Sequence, residues 1–204
     1  MRFSYLRHIT SVLVVLGLVA GIVACKPVVT REDPNSVTDL SGNWNDTDSR
    51  KVSQEMIQDV LSQPWLGKFT RKNGHAPTVI VGTVRNLSHD HINTRTFIAD
   101  IRRALINSGE VDFVASSGER GEIREERRDQ DLNASEQTRK EMGNEVGADF
   151  MLKGTINSIV DAIDGEQVRF YQVDLTLIDL STNRVVWAGQ QKIKKSIERS
   201  GIRL

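Results

Sequence analysis

The stretch YQVDLTLID, residues 171–179, constrains the fold of this chain more than any other feature of its sequence. Apolar side chains occupy every second position from Tyr171 to Leu177, and polar side chains lie between them. This period of two is typical of a β-strand that has one buried face and one face toward water. Such strands suit an antiparallel sheet, so the second half of the chain is predicted to be mainly β-structure.

Two turn signals place further strands beside this one. Asp164-Gly165 predicts a tight turn that joins it to a looser strand at residues 151–160. On the other side, the polar residues 181–183 predict a turn into a last strand, from Arg184 to about residue 193, which carries Trp187. The three strands form a predicted meander.

The first half of the chain has a helical period instead. Helices are predicted at residues 46–61, 94–108 and 135–146, and short strands at 78–84 and 111–116. Pro64 is expected to end the first helix, and residues 67–77 are expected to form a loop. Early helices and a late meander predict an α+β fold with a single antiparallel or mixed sheet of four to five strands and helices mainly on one face.

Residues 118–133 are almost entirely charged or polar. This composition predicts a solvated helix or an irregular arm in which acidic and basic side chains pair. A surface that faces a partner is the alternative interpretation.

The N-terminus has the layout of a secretory signal peptide. Arg2 and Arg7 precede an apolar run at about residues 12–24, which is shorter than a membrane span requires. Cys25, the only cysteine, follows this run and has no partner for a disulfide. The string Ile-Val-Ala-Cys that ends at Cys25 resembles the lipobox of bacterial lipoproteins, which implies acylation of Cys25. A retained membrane helix and a cysteine without a role are the alternatives.

The lipoprotein pattern also predicts location and domain boundaries. Lys26 stands where an aspartate favours retention in the inner membrane, so the resemblance implies an outer-membrane lipoprotein that faces the periplasm. We expect a signal peptide at 1–24, a lipidated cysteine and flexible linker at 25–43, and one α+β domain at 44–204.

Charge and motif content argue against several classes of function. The chain has 27 basic and 27 acidic side chains, a balance that does not favour a nucleic-acid-binding protein. The sequence has no phosphate-binding glycine loop, zinc-protease motif or serine-hydrolase motif. His89-Asp90-His91 is a metal site only if ligands come from elsewhere, and a solvated loop is the alternative. We predict a protein that is not an enzyme and has no cofactor, metal or small-molecule substrate.

The tryptophans are candidate partner residues, because tryptophan is favoured at the energetic centres of interfaces. Trp187, on a predicted strand, is assigned to the core. Trp44 lies among polar residues at the start of the predicted domain, so packing and partner binding are both open for it, and Asn45 is grouped with it as a candidate contact. Asp46 or Thr47 is expected to cap the first helix.

Four stretches together resemble the LpoB family, outer-membrane lipoproteins that activate penicillin-binding proteins. They are SGNWNDTDSRKVSQEMIQDVL (41–61), FIADIRRALINSGEVDFVAS (97–116), NEVGADFMLKGTI (144–156) and LTLIDLSTNRVVWAG (175–189). The resemblance implies a fold like the N-terminal domain of TolB, no catalysis, and a class A penicillin-binding protein as partner, with peptidoglycan synthesis as the regulated process. The alternative is a structural or assembly lipoprotein of an envelope machine, related to curli-secretion or flagellar outer-membrane components.

Overall fold

The computed structural model of the protein describes residues 29–198. Cys25 and the predicted signal peptide lie outside these residues. The described part contains four helices and five strands. They are α1 (Asp46–Ser62), α2 (Pro64–Asn73), β1 (Thr78–Asn86), α3 (Thr94–Ser108), β2 (Asp112–Phe113), α4 (Ser117–Asn133), β3 (Phe150–Ile163), β4 (Glu166–Asp179) and β5 (Val185–Glu198).

The strands form one mixed sheet in the order β2-β1-β3-β4-β5. Strand β1 runs parallel to β2 and β3, whereas β3, β4 and β5 form an antiparallel meander. Asp164 and Gly165 make the predicted turn between β3 and β4, both with positive φ. The α+β class and the single mixed sheet are therefore confirmed. The parallel pairs arise because helices connect β1 to β2 and β2 to β3.

The core lies between the helices and one face of the sheet. The alternating residues of β4 are buried as predicted, from Tyr171 through Leu177. Helices α1 and α3 cover them with apolar side chains at helical spacing, which are Val52, Met56, Ile57, Val60, Phe97, Ile101 and Leu105. Helix α3 has the predicted bounds and ends at Gly109 with a φ of 70°. Among residues 29–198, no helix combines the length and apolarity that crossing a membrane requires.

Helix α2 was predicted as a loop, and that prediction was wrong. Pro64 does not simply end the first helix, because proline is well tolerated in the first turn of a helix and here it begins α2. Trp65 and Leu66, which follow Pro64 in α2, are buried. The Trp65 indole Nε1–H donates to the Val60 carbonyl oxygen at 2.7 Å. Gly74, with a φ of 77°, ends the helix.

The helix predicted at residues 135–146 is also absent, since this stretch consists of turns and irregular chain. Every residue in it is exposed, including Met142 and Val146. A helix this short is marginal in water unless an apolar face packs against something, and nothing buries this one. By contrast, the charged stretch before it does form a helix, α4, which has no buried residue and matches the predicted solvated arm.

The chain divides into two compact units at Ser36 and Val37. In the first unit, residues 33–36 form a turn in which the Ser36 N–H donates to the Asp33 carbonyl oxygen at 2.9 Å. The second unit holds all the helices and strands and begins at Val37. Residues 39–43, which were included in the predicted linker, contact β4 and β5 and begin the site described next.

Candidate functional site

Residues 39–45, here called the junction segment, lie across the helical face of the sheet just before α1. Gly42 is buried, and its carbonyl oxygen lies 3.0 Å from the Tyr171 hydroxyl on β4. A Cβ atom at Gly42 would overlap the Ile197 side chain on β5, so a larger residue here would require that side chain to move. The segment belongs to no helix or strand, and its polar backbone and side-chain groups form hydrogen bonds with the sheet instead.

Trp44 fastens the junction segment to the core. Its backbone N–H donates to an Asp90 carboxylate oxygen at 3.1 Å, and its indole Nε1–H donates to Ser49 Oγ at 2.7 Å. Its ring meets Phe97 and Tyr171 edge-on, with centroid distances of 6.5 Å and 5.6 Å. Edge-on geometry is favourable for aromatic pairs. Of the two uses open for Trp44 from the sequence, packing is therefore observed.

Asp90 is the centre of the polar contacts beneath this segment. Its carboxylate accepts hydrogen bonds from Tyr171 and from the Trp44 N–H, and it lies 2.8 Å from Arg169 Nη1. Arg169 in turn donates to Asn43. Burial raises the pKa of Asp90, but the hydrogen bond from Tyr171, the Trp44 N–H and the charge of Arg169 outweigh it, so the pKa lies below its usual value. The carboxyl therefore stays ionised as an acceptor.

Burial and the hydrogen bond to Asp90 raise the pKa of Tyr171 to about 12. The phenol therefore remains a hydrogen-bond donor at any physiological pH. Sequence reasoning assigned Tyr171 to the core and Asp90 to a loop or a metal site. It missed their pairing, because 81 positions separate them and the pattern around each residue gives no sign of the other.

Lys195 on β5 makes a second set of contacts with the same segment. Its Nζ lies 2.9 Å from an Asp39 carboxylate oxygen and 2.7 Å from one of Asp48, and it also donates to the Asn43 carbonyl oxygen at 3.3 Å. Burial lowers the pKa of Lys195, but the hydrogen bonds to Asp48 and Asp39 outweigh it, so the pKa is raised. Two strands thus hold the junction segment, β4 through Arg169 and Tyr171 and β5 through Lys195.

Asn45 caps helix α1, so the expectation that Asp46 or Thr47 is the cap was wrong. The Asn45 side chain accepts from the Asp48 N–H at 3.0 Å, and the Asp48 carboxylate accepts from the Asn45 N–H at 3.0 Å. This reciprocal pair is a capping box. Asp46 falls in the first turn, and Thr47 is buried, so neither occupies the extended position from which a side chain can cap.

Replacing Asn45 by alanine is expected to lower the free energy of unfolding by about 1 kcal/mol, the typical cost of a lost N-cap. Replacing the exposed Asp46 by alanine should cost less, since it removes a favourable charge at the helix N-terminus and an exposed ion pair with Arg50 at 3.8 Å, which contributes little. Urea unfolding followed by circular dichroism measures both. Equal losses for the two variants would contradict the assignment of Asn45 as the cap.

The histidines beside Asp90 do not form a metal site in the described residues. His89 contacts Ser158 through its backbone N–H and its ring, and His91 is exposed. From residue 29 to residue 198, no group of three or more His, Cys, Asp or Glu side chains is arranged to hold a metal ion.

The remaining sequence candidates are placed as follows. Trp187 is buried in the core, as predicted, and its Nε1–H donates to the Asp59 carboxylate on α1 at 2.9 Å. Helix α4 is joined to neighbouring chain by ion pairs, Arg102 with Glu119 at 3.0 Å and Arg124 with Glu145 at 2.7 Å. These exposed ion pairs link helix α4 to its neighbours but contribute little to the stability of the fold.

Comparison with protein families identifies the chain. The model of the family described as peptidoglycan-synthase activator LpoB matches residues 48–193, which include all four helices except the start of α1 and most of the sheet. The chain belongs to the LpoB family. This confirms the resemblance drawn from the sequence, and the family's description makes it one of activators of peptidoglycan synthases.

Several solved structures are similar to this LpoB-family chain. The LpoB C-terminal domain from Escherichia coli is 17% identical and matches 72% of this chain and 99% of its own, with a TM-score of 0.44. Lipoprotein GNA1162 from Neisseria meningitidis is 15% identical over 59% of this chain and 83% of its own, with a TM-score of 0.37. The PelC dodecamer from Paraburkholderia phytofirmans is 22% identical over 62% and 76%, with a TM-score of 0.33. The curated proteins contain no significant match.

Proposed function

We propose that this protein is an outer-membrane lipoprotein that binds a class A penicillin-binding protein in the periplasm and stimulates its synthesis of peptidoglycan. The observation that carries the proposal is the match to the peptidoglycan-synthase activator family over residues 48–193. The same match favours an activator over a structural or assembly lipoprotein. In this proposal the protein supplies binding energy and no catalytic group, so it is not itself an enzyme.

Activation then follows from differential binding. A synthase that exchanges between less active and more active conformations shifts toward the active one when the lipoprotein binds that conformation more tightly. A tenfold shift in this equilibrium needs a difference of about 1.4 kcal/mol between the two affinities. A rigid activator domain suits this role, because little binding energy is then lost in ordering it.

For Trp44 and Asn45, the candidate partner residues, we propose a positioning role. Both side chains are engaged within the domain, Trp44 with Ser49 and Asn45 with Asp48. Both residues fix the junction segment on the sheet and so hold in place the surface that this protein presents to the synthase. Neither side chain inserts into a pocket of the synthase.

The tether sets where the two proteins meet. Between an acylated Cys25 and the second compact unit, which begins at Val37, residues 26–36 span at most about 40 Å when fully extended. The domain therefore works close to the outer membrane, and the synthase has to extend a docking region toward it.

Replacing Cys25 by alanine is expected to prevent acylation and release the protein from the outer membrane, because two or three acyl chains provide the lasting attachment. The folded domain should keep its melting temperature. Mass spectrometry of the mature N-terminus and fractionation of envelopes measure the two effects. An unmodified Met1 terminus in the wild-type protein would contradict acylation.

The partner is tested by co-purification from envelopes after chemical crosslinking in cells. We expect a class A penicillin-binding protein to be enriched with the wild-type protein. The matched control is the Cys25→Ala variant, which keeps the domain but is not held at the outer membrane, and which should yield much less of the synthase. Enrichment of flagellar or secretion components in place of a synthase would overturn the proposed partner.

A further inference from the structure

Strand β5 forms one edge of the sheet, and the proposed function does not explain why this edge is open. Within residues 29–198, β5 pairs only with β4, so its other edge carries backbone N–H and C=O groups without a strand partner. Its pairing with β4 is continuous from Trp187 to Glu198, and no proline interrupts it. The opposite edge strand, β2, has only 2 residues. An open edge of this length is a template for another strand.

The charges beside this edge determine what it accepts. Lys192 and Lys194 lie on the face of the sheet opposite the helices, where their cross-strand neighbours on β4 are Gln172 and Phe170. Both lysines are exposed and make no ion pair with any described residue. Lys195, on the helical face, is already paired with Asp39 and Asp48. Two positive charges that form no ion pair with any described residue therefore stand two residues apart along one face of an open edge.

We propose that β5 binds an extended acidic segment of a partner protein as an added strand. Main-chain hydrogen bonds along the edge supply the affinity, as in other cases of strand addition. Acidic side chains at alternate positions of the incoming strand lie opposite Lys192 and Lys194, and opposite charges in directly facing positions are favourable.

The same lysines disfavour pairing with a second copy of this chain in the register centred on Ile193. Two β5 edges that pair antiparallel about Ile193 place Lys192 of one copy against Lys194 of the other, and like charges in facing positions are destabilising. The two lysines thus disfavour this self-paired register while they attract an acidic strand, and specific interfaces combine such repulsion and attraction to discriminate between partners. This inference goes beyond the proposed function, since it concerns how a strand is bound and not which protein supplies it.

The test uses the full-length chain in detergent and three synthetic peptides. The first is acetyl-TEVEVET-amide, the second replaces its glutamates by lysines, and the third is the acidic peptide methylated at alternate backbone nitrogens. We expect the acidic peptide to bind, with slowed amide exchange confined to residues 187–198. The lysine peptide lacks the negative charge, and the methylated peptide lacks half of the backbone N–H donors. Each should therefore bind at least about tenfold more weakly than the acidic peptide.

A charge-reversed variant completes the test. Lys192→Glu with Lys194→Glu should weaken binding of the acidic peptide at least about tenfold and favour the lysine peptide instead. The matched control, Lys68→Glu with Lys72→Glu, reverses two exposed lysines on α2 and should leave binding unchanged. Equal binding of the methylated peptide, protection elsewhere than β5, self-association through β5, or no binding at all would each overturn the proposal. No synthase is present in this assay, so its failure is distinct from failure of the proposed function.

Discussion

Replacing Trp44 by alanine is expected to lower the free energy of unfolding by about 3 kcal/mol, toward the lower end for removal of a large aromatic side chain because Trp44 is only partly buried. The variant loses both edge-on ring contacts, with Phe97 and Tyr171, and the hydrogen bond to Ser49. Chemical denaturation monitored by circular dichroism gives this difference directly.

Two further variants show whether the loss comes from packing. Trp44→Phe keeps a ring against Phe97 and Tyr171 and should recover more than half of the lost stability. Leu40→Ala removes an apolar side chain from the same segment, but Leu40 is 93% exposed, so stability should not change. An unchanged free energy of unfolding for Trp44→Ala, together with loss of synthase binding, would instead make Trp44 a direct partner contact.

Replacing Asp90 by alanine is expected to cost about 2 to 3 kcal/mol of stability, since removing one member of a largely buried ion pair leaves the other charge without compensation. Arg169 loses its carboxylate partner, and the Tyr171 hydroxyl and the Trp44 N–H lose their acceptor. The matched control is Asp161→Ala, which removes an exposed aspartate with no ion pair to any described residue and should change stability by less than about 0.5 kcal/mol.

The contribution of Asp90 also depends on pH. Its folded-state pKa lies below the 3.8 of an unfolded aspartate, so ionised Asp90 stabilises the fold fully above that value, and the contribution is lost as the pH falls through the folded-state pKa. The difference in unfolding free energy between wild type and Asp90→Asn should therefore be constant from pH 7 to pH 5 and shrink below pH 4. A difference that grew on acidification would contradict the assignment.

The parts of the fold that were predictable from the sequence are those whose burial follows a regular period. The alternation in β4 and the helical stripe of α3 both report which side chains enter the core, and the bounds of α3 followed from that stripe and Gly109. The turn at Asp164-Gly165 followed from local chemistry alone, because both residues tolerate positive φ.

Other features depend on contacts that no local pattern records. Helix α2 is short, and it forms because Trp65 and Phe69 pack against Phe150 on a distant strand. Residues 135–146 have a helical pattern but no surface that buries it. The candidate site was the least predictable part. It joins the junction segment to Asp90, Arg169 and Lys195, which lie more than 40 positions further along the sequence.

We propose that this protein activates a class A peptidoglycan synthase, and the most direct test is a measurement of the synthase's own rate. Glycan polymerisation and crosslinking from lipid II are followed with the purified synthase, with and without the full-length lipoprotein in the same detergent. We predict a rate that rises severalfold and saturates with lipoprotein concentration, because activation by preferential binding reaches a limit when the synthase is fully bound. An unchanged rate at concentrations where crosslinking shows the two proteins bound would contradict the claim.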